Sequence, residues 1–557
     1  MTVSLEFLGG AHTVTGSSYL LRTSRAQVLV DCGLFQGTPN ESIRNRVPPD
    51  YDPATVDAIL LTHAHLDHCG RLPLLVKWGY GGPIYTTMGT IELATLVLLD
   101  SGRLQEEFAK REMRWEKRHP DLVAGDDAKQ QRAYEAAVEL AHDGDDIGAP
   151  AAAGMHAGAT VTMAAPAPGS AATGEHVATT VEPHDGMPAD PEAALAATQP
   201  EMAVDLDAPL YTEQDAANTL PRFKAVAYGK ELEVAPGVFA TYDDAGHILG
   251  SAIIRLRVVD GDGSQRTIVF SGDLGRTDAP IIRDPTPESG ADYVVCESTY
   301  GGREHDPQDE AVRVLAETVQ LVQQAGGVLL VPSFAIGRTQ EVVWQLDRLL
   351  EQGRIPQLPL YLDSPMASKA TEVYRRHPEY YDTETTQLFQ SGATPLDYPN
   401  QILTNDIKDS QKIESANRPY MIVASNGMLT GGRVVGHLRW LIDDPKATIL
   451  FVGYQGTGTL GAHLQQGAKT VKLDGQVRQV RCQVRSISGF PSHADEPGLL
   501  AWLGGFVAGR AAGSAGYPRT VFLVHGDPDA QAALEPKVAA LGLQVHLPAW
   551  HERVTLA

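Results

Sequence analysis

The segment LLTHAHLDHCG places His63, His65, Asp67 and His68 within six residues, directly after the apolar run DAILLT. Imidazole nitrogens and carboxylate oxygens are donors that borderline divalent cations such as zinc accept. On a tight loop after a strand, alternate side chains point to two sides, so this set suits two adjacent ions better than one. A polar surface turn gives no packing reason for three histidines interleaved with an aspartate. Further candidates end apolar runs: Asp31 after AQVLV, Asp273 after RTIVFSG, Glu297 after DYVVC and His525 after TVFLV. His247 lies in the glycine-flanked turn DDAGHILGSA, and His493 in SISGFPSHADEPG. Each alone would read as a cap or a turn residue. Together they converge, because the ends of parallel strands gather on one rim of a sheet. The expected centre is dinuclear, with His63, His65 and His247 on one ion, Asp67, His68 and His525 on the other, and Asp273 bridging. Two divalent ions about 3.5–4 Å apart would polarise a phosphoryl oxygen and deprotonate a bridging water near neutral pH. The chemistry expected is hydrolysis of a phosphodiester or an ester.

The elements that must position these residues alternate apolar runs with turns and helical patterns: LEFLG, AQVLVDCG, VDAILLTHAH, then the amphipathic RLPLLVKW. That rhythm predicts a layered α/β fold. Residues 101–145 read as charged surface helix. From 151 to 210 there is no Lys or Arg but eight acids, with Ala, Gly, Pro and Thr filling most of the rest. Such a stretch buries too little apolar surface to offset its ordering entropy, so about residues 143–205 are expected to be a disordered insertion. Its scattered His156, His176 and His184 do not make a site. Between about 304 and 478 a strand, loop and helix repeat: GGVLLVPSFAIGRTQEVVWQLDRLL, LPLYLDSPMASKATEVY and PYMIVASNGMLTGGRVVGHLRWLI. These read as βα units of a parallel sheet and predict a second domain.

Composition narrows the class. The 557 residues carry 45 Lys+Arg against 69 Asp+Glu, a net charge of −24. The length suggests roughly three or four structural units. With 43% hydrophobic and 20% charged residues, the chain is an ordinary globular composition. No apolar run approaches the roughly 20 residues that span a bilayer. The N-terminus MTVSLEFLGG lacks the pattern of a secretory signal, so a cytoplasmic location is expected. Cys32, Cys69, Cys296 and Cys482 are widely spaced, which argues for core cysteines rather than disulfides or a thiolate zinc cluster. So acidic a protein would meet nucleic acid only through a local basic groove.

The motif HAHLDH, with His247 and Asp273 downstream, resembles the metallo-β-lactamase fold. CESTYGGREH, VPSFAIGRTQE, LDSPMA, SNGMLTGG, SGFPSHAD and LVHGD follow in order and resemble its β-CASP branch, the RNA-processing metallohydrolases related to the cleavage-and-polyadenylation endonuclease. The resemblance covers nearly the whole chain outside the acidic insertion. It implies an α/β fold in which both ends of the chain, residues 1–303 and 479–557, build a lactamase αββα sandwich, with residues 304–478 inserted as a β-CASP cap. Its zinc-ligand pattern lands on the residues assigned above, with Asp31 orienting a histidine ligand. It further implies two Zn2+ per chain, with Mn2+ admitted by the carboxylates. Asp67, Glu297 and His493 are the expected catalytic residues: His493 protonates the leaving 3′ oxygen while Glu297 holds its ring and raises its pKa.

The same resemblance implies single-stranded RNA as substrate, because RNA-directed members carry histidine at the position of His525. Cleavage is expected to be chiefly endonucleolytic, with 5′-to-3′ exonuclease activity as a second mode. Ser333, Arg338, Ser425, Asn426 and Gly427 are expected to hold the RNA backbone, with Arg303 and Arg433 near the groove, since strand-to-helix turns of this kind favour anions. A homodimer is expected, and no membrane partner. Two features depart from the family pattern: FPSH replaces the usual FSAH, which puts Pro491 before His493, and the insertion precedes His247. About 30 residues follow His525, too few for the C-terminal domain of the J-type exoribonucleases, which argues against strong processivity. A small-molecule ester or thioester hydrolase of the glyoxalase kind would leave Glu297, the cap and SGFPSHAD without a role. A non-catalytic RNA-processing scaffold would not retain every ligand.

Overall fold

In the computed structural model the described residues are 3–142, 206, 208–453, 455–456, 459–487, 490 and 492–557. The acidic insertion expected at 143–205, with its three histidines, and Pro491 lie outside them. Among the described residues no helix is long and apolar enough to cross a membrane.

The apolar runs of the N-terminal part form strands because their β-branched and aromatic residues find two faces to bury. The first seven-stranded sheet runs Arg553–Thr555, Ser4–Gly9, Ser18–Arg22, Gln27–Val30, Ala58–Leu60, Ile84–Thr87 and Phe223–Val226. The second runs Val545–His546, Thr520–Val524, Tyr293–Glu297, Gln265–Phe270, Ala252–Val259, Val238–Asp244 and Leu232–Ala235. Each sheet therefore takes strands from both ends of the chain. Period-two alternation sorts the side chains. Phe7, Tyr19, Val28 and Leu60 from one sheet meet Tyr242, Ile254, Phe270 and Phe522 from the other in the central core. The opposite faces are covered by helices: Leu20, Ile59 and Ile84 pack against Leu72, Leu75, Leu93 and Leu98, while Val294, Cys296 and Leu523 pack against Leu499, Leu503 and Leu534. This is a helix, sheet, sheet, helix sandwich.

A third sheet of six parallel strands is ordered Gln401–Leu403, Leu360–Asp363, Tyr420–Ala424, Val328–Pro332, Ala447–Phe451 and Gln483–Ser486. Both faces are apolar, as parallel strands require: Leu329, Val331 and Val423 lie on one side, Leu330, Ile422 and Phe451 on the other. The strand–helix units read from sequence are present, with helices Arg338–Glu351, Pro365–Arg376 and Arg433–Leu441 following three of these strands. The edge strand Gln483–Ser486 lies beyond residue 478 and pairs with Ala447–Phe451. Its polar sequence QVRS carries no apolar alternation, so the pairing sets its structure. All four cysteines are buried and unpaired.

The histidine-rich segment is held by backbone contacts with the chain after the strand Gln27–Val30. Cys32 N donates to His68 O at 2.8 Å, Leu34 N to Leu66 O at 2.8 Å and Ser17 N to Asp67 O at 2.9 Å. The approach is so close that a Cβ on Gly33 would lie 1.6 Å from Asp67 O. Gly33→Ala is therefore expected to force these segments apart, destabilising the fold by about 1–3 kcal/mol or more and weakening metal retention. Thermal unfolding and metal analysis of the purified variant check this; an unchanged melting temperature with full metal content would contradict it.

Candidate active site

His63 and His65 leave the strand Ala58–Leu60 on a short loop, and Asp67 and His68 follow in the single turn Leu66–Cys69. His247 comes from the turn before Ala252–Val259, Asp273 from the segment after Gln265–Phe270, and His525 from the residue after Thr520–Val524. Asp31 and His525 both adopt left-handed backbone, with φ of 58° and 47°, a conformation uncommon outside glycine. Their amides are fixed by Leu60 O and Gly10 O respectively, each at 2.9 Å or less.

These residues meet in two clusters whose potential donor atoms lie within 4.8 Å of one another: His63, His65, His247 and Asp273 in the first, Asp67, His68 and His525 in the second. In the first, His65 Nδ1 lies 3.2 Å from His63 Nε2 and 3.1 Å from His247 Nε2. In the second, His525 Nε2 lies 3.5 Å from Asp67 Oδ2. Asp273 faces both. Its Oδ2 is 3.4 Å from His63 Nε2 and 3.6 Å from His247 Nε2, and its Oδ1 is 3.2 Å from His68 Nε2 and 3.5 Å from His525 Nδ1.

The outer ring nitrogens are already committed. His247 Nδ1–H donates to Ser492 O at 3.0 Å and His68 Nδ1–H to Asp31 Oδ2 at 2.7 Å. Each bond fixes its ring with Nε2 turned inward, the nitrogen that a metal ion would bind once it carries no proton. Thr62 ties the set together, donating N–H to Asp31 Oδ1 at 2.8 Å and its hydroxyl to Asp31 Oδ2 at 2.8 Å, while lying 3.1 Å from His63 Nδ1.

Burial holds His63 and His247 well below the ordinary imidazole pKa, and pushes His65 down to about 4. These shifts favour the neutral rings, whose lone pairs a metal ion needs. Burial opposes charge on His68 as well, but Asp273 and then Asp31 outweigh it and hold that pKa well up. Burial likewise works against the Asp273 carboxylate, and His525, His68 and His63 overcome it. Asp67 is brought down to about 2 against its burial, first by its contact with His525 and then by His68.

The residues pass a direct test of fit to a cation. Asp273 is 1% exposed, and neither of its carboxylate oxygens has a hydrogen-bond partner among the described residues; His68 Nε2 and His525 Nε2 are orphaned too. A buried carboxylate without partners costs on the order of several kcal/mol unless compensated, and all four orphaned atoms face the same space. The His/Asp set has the donor types and the spacing to hold a metal ion. A further grouping, Glu6, Asp50 and His551, lies elsewhere in the fold, and its Glu6 is already paired with Arg22 and Arg553.

Beside the centre, His493 Nδ1 lies 3.0 Å from Glu297 Oε1 and 3.2 Å from Oε2, while Nε2 is 3.9 Å from Asp273 Oδ2. Burial works against charge on the ring, but Glu297 and then Asp273 overcome it and raise the pKa to about 9.

The residues expected to hold RNA are arranged less openly. Arg338 is buried, with Nη1 on Glu341 Oε2 at 3.0 Å and Nη2 on Ser492 Oγ at 3.1 Å, so both terminal nitrogens are engaged within the protein and only the buried Nε has no partner among the described residues. Arg433 pairs with the buried Asp363 at 2.7 Å. Ser333 is 1% exposed and accepts from Thr339. Ser425 donates to Ser364 Oγ at 3.0 Å. Asn426 accepts from Met428 N, and Gly427 O accepts from Gln455, so the two shape the loop after the strand Tyr420–Ala424. Arg303 is exposed, and its carbonyl accepts from Glu496 N. Sequence reasoning passed over Thr62, Glu341 and Ser492. Thr62 stands directly before His63 and Ser492 directly before His493, but nothing in their types marks a role.

The chain matches the metallo-β-lactamase superfamily over residues 13–129, the Beta-Casp domain over 339–464 and the Zn-dependent metallo-hydrolase RNA specificity domain over 478–548. It is 31% identical over 546 residues to ribonuclease TTHA0252 of Thermus thermophilus, covering 98% of both chains. The chain belongs to the β-CASP branch of the metallo-β-lactamase superfamily. It is also similar to the transcription termination factor FttA of Methanosarcina mazei, 28% identical over 96% of this chain and 69% of that one. FttA of Methanocaldococcus jannaschii is 27% identical over 94% and 67% respectively. As in the family architecture, the β-CASP domain is an insertion within the lactamase sandwich.

Asp31 does not face the orphaned atoms but sets the tautomer of His68. Asp31→Asn is expected to weaken metal binding by about 10- to 100-fold, measured by competition with a chromophoric chelator. Unchanged affinity would contradict that role.

Proposed function

We propose that this chain hydrolyses the phosphodiester bonds of single-stranded RNA at the His/Asp centre, chiefly by internal cleavage, with two Zn2+ ions and with Mn2+ as a substitute. His63, His65 and His247 would hold one ion, Asp67, His68 and His525 the other, and Asp273 both. The observation that carries this reading is the buried Asp273 carboxylate, with one oxygen turned to each cluster and no hydrogen-bond partner among the described residues. The ribonuclease that the chain matches end to end supports RNA as the substrate class, as does the RNA specificity domain match. A cytoplasmic location, expected from the N-terminal sequence, and a homodimer, expected from the family resemblance, belong to the same reading, and the chemistry depends on neither.

Held by these residues, divalent ions would supply Lewis acidity toward a phosphoryl oxygen and a water of lowered pKa. The protein's own groups do the rest. His493 keeps a partly exposed ring, 20% accessible, within reach of a bound strand. Its protonated Nε2 delivers a proton to the departing 3′ oxygen. Glu297 accepts from Nδ1, which fixes the ring's orientation and keeps it charged. Cations at the centre offset Asp273, leaving Glu297 as the carboxylate that sustains the imidazolium. A slot lined by loop amides and hydroxyls reads sugar and phosphate more than base identity, so little sequence preference is expected.

Zinc-loaded protein is expected to release internal fragments from RNA labelled at either end, and the Asp273→Ala variant none. A ladder from one end would shift the reading to an exonuclease, and intact RNA under several metals would overturn it. His493→Ala should keep its metal and lose about 100- to 10,000-fold in turnover. Because His493 acts when protonated, activity should fall as pH rises through its pKa. Glu297→Gln should move that alkaline limb of the kcat profile down by about 1–2 pH units. A limb that stays in place would exclude His493 as the titrating acid.

A further inference from the structure

His493 is carried on a loop rather than at a strand end, and a closed ring of contacts surrounds it. Ala494 N donates to Leu274 O at 2.7 Å, and His305 Nε2–H to His493 O at 3.1 Å. On the other side, Ser492 Oγ accepts from Arg338 NH2 at 3.1 Å, while Ser492 O accepts from the metal-cluster residue His247 at 3.0 Å. Arg338 NH1 binds Glu341 Oε2 at 3.0 Å, and Glu341 Oε1 accepts from Arg276 NH2 at 2.7 Å. Arg276 belongs to the same segment as Asp273 and Leu274, where Leu274 N donates to Glu297 Oε1 at 2.7 Å. The circuit thus runs from the Asp273 segment through Arg276, Glu341, Arg338 and Ser492 to His493 and Ala494, and back to Leu274.

Arg338 and Glu341 open the β-CASP helix Arg338–Glu351, and both are buried, at 5% and 8% exposure. The helix start is pressed against the turn carrying His247: a Cβ on Gly337, at φ +78°, would lie 2.9 Å from Ile248 Cγ2. A surface ion pair would contribute little. A buried, doubly bonded carboxylate between two guanidiniums fixes geometry, because each partner left alone would be an uncompensated charge.

We propose that Arg338 and Glu341 are positioning residues for proton delivery: this β-CASP pair grips Ser492 and sets the His493 ring on the leaving oxygen, rather than binding RNA phosphate. The proposal rests on the general-acid reading of His493. It explains why the arginine of SFAIGRTQ points into the protein, and it makes the inserted domain a structural part of the catalytic acid's mounting. Displacement by about 1 Å is enough to cost on the order of 100-fold in a proton-transfer step.

The test compares two substrates on the full zinc-loaded chain. One is a single-stranded RNA oligomer, whose alkoxide leaving group needs a proton. The other is bis(p-nitrophenyl) phosphate, whose phenolate leaves without one. Arg338→Met is expected to lower kcat on RNA by about 100-fold and Ser492→Ala by about tenfold. KM, zinc content and turnover of the aryl diester should stay unchanged in both. Ser492→Thr, which keeps the hydroxyl, should restore RNA turnover. Equal losses on both substrates, no loss on RNA, or a raised KM with kcat intact would overturn the proposal, the last making Arg338 a binding residue. Ser492→Ala removes one hydroxyl from a partly exposed site, so it remains informative if Arg338→Met does not fold. His493→Ala run alongside separates the two claims. If it retains the aryl activity alone while Arg338→Met and Ser492→Ala do not discriminate, the positioning role fails and the general acid stands. If it loses both activities equally, the general-acid reading itself fails.

Discussion

The centre is organised around a carboxylate that the protein does not satisfy. Asp273 is buried under the rim of the second sheet, with both oxygens directed at imidazole nitrogens of two clusters and, among the described residues, no amide or hydroxyl to accept from. Burial pushes His63, His65 and His247 toward neutrality, while nearby carboxylates pull His68 and His493 toward charge. Cations would complete this arrangement. Everything nearby serves to keep the donors fixed before an ion arrives: Asp31 and Thr62 lock the rings of the HAHLDH loop, Ser492 O locks His247, and the left-handed backbone at Asp31 and His525 turns their side chains inward.

The sandwich is what makes such strain affordable. Asp273, Glu297 and His525 all issue from neighbouring strands of one sheet, registered by parallel pairing of Tyr293–Glu297 with both Gln265–Phe270 and Thr520–Val524. The HAHLDH loop issues from the other sheet, and the shared core of Phe7, Tyr19, Phe270 and Phe522 fixes the two rims against each other. Residues 250 positions or more apart in sequence, such as His68 and His525, are thereby held at ligand distances. The start of the β-CASP helix at Arg338 then packs against the His247 turn and holds Ser492, the residue before His493.

Much of this was legible in the residues. The succession of LEFLG, AQVLVDCG and VDAILLT with turns and helical patterns foretold a layered α/β fold, and HAHLDH with carboxylates ending apolar runs foretold a centre at strand ends, because those signals are local. What depended on distant partners was not legible. The strand QVRS is polar and exists through its pairing with Ala447–Phe451. Arg338 and Arg433 read as cations free to bind phosphate, yet the fold supplies Glu341 and Asp363 as buried partners, and a carboxylate three residues along a helix or seventy along the chain leaves no signature of the pairing. Thr62 is the same kind of case: a hydroxyl beside a histidine is unremarked until Asp31 is found against it.

The central claim is that Asp273 is shared between two metal ions. Anomalous diffraction from crystals of the zinc-loaded protein, recorded on both sides of the zinc absorption edge, tests it most directly. The account predicts two zinc peaks separated by about 3.5–4 Å, one within reach of His63, His65 and His247 and the other of Asp67, His68 and His525, with the Asp273 carboxylate touching both. A single peak, or two peaks with Asp273 turned away from one of them, would contradict it.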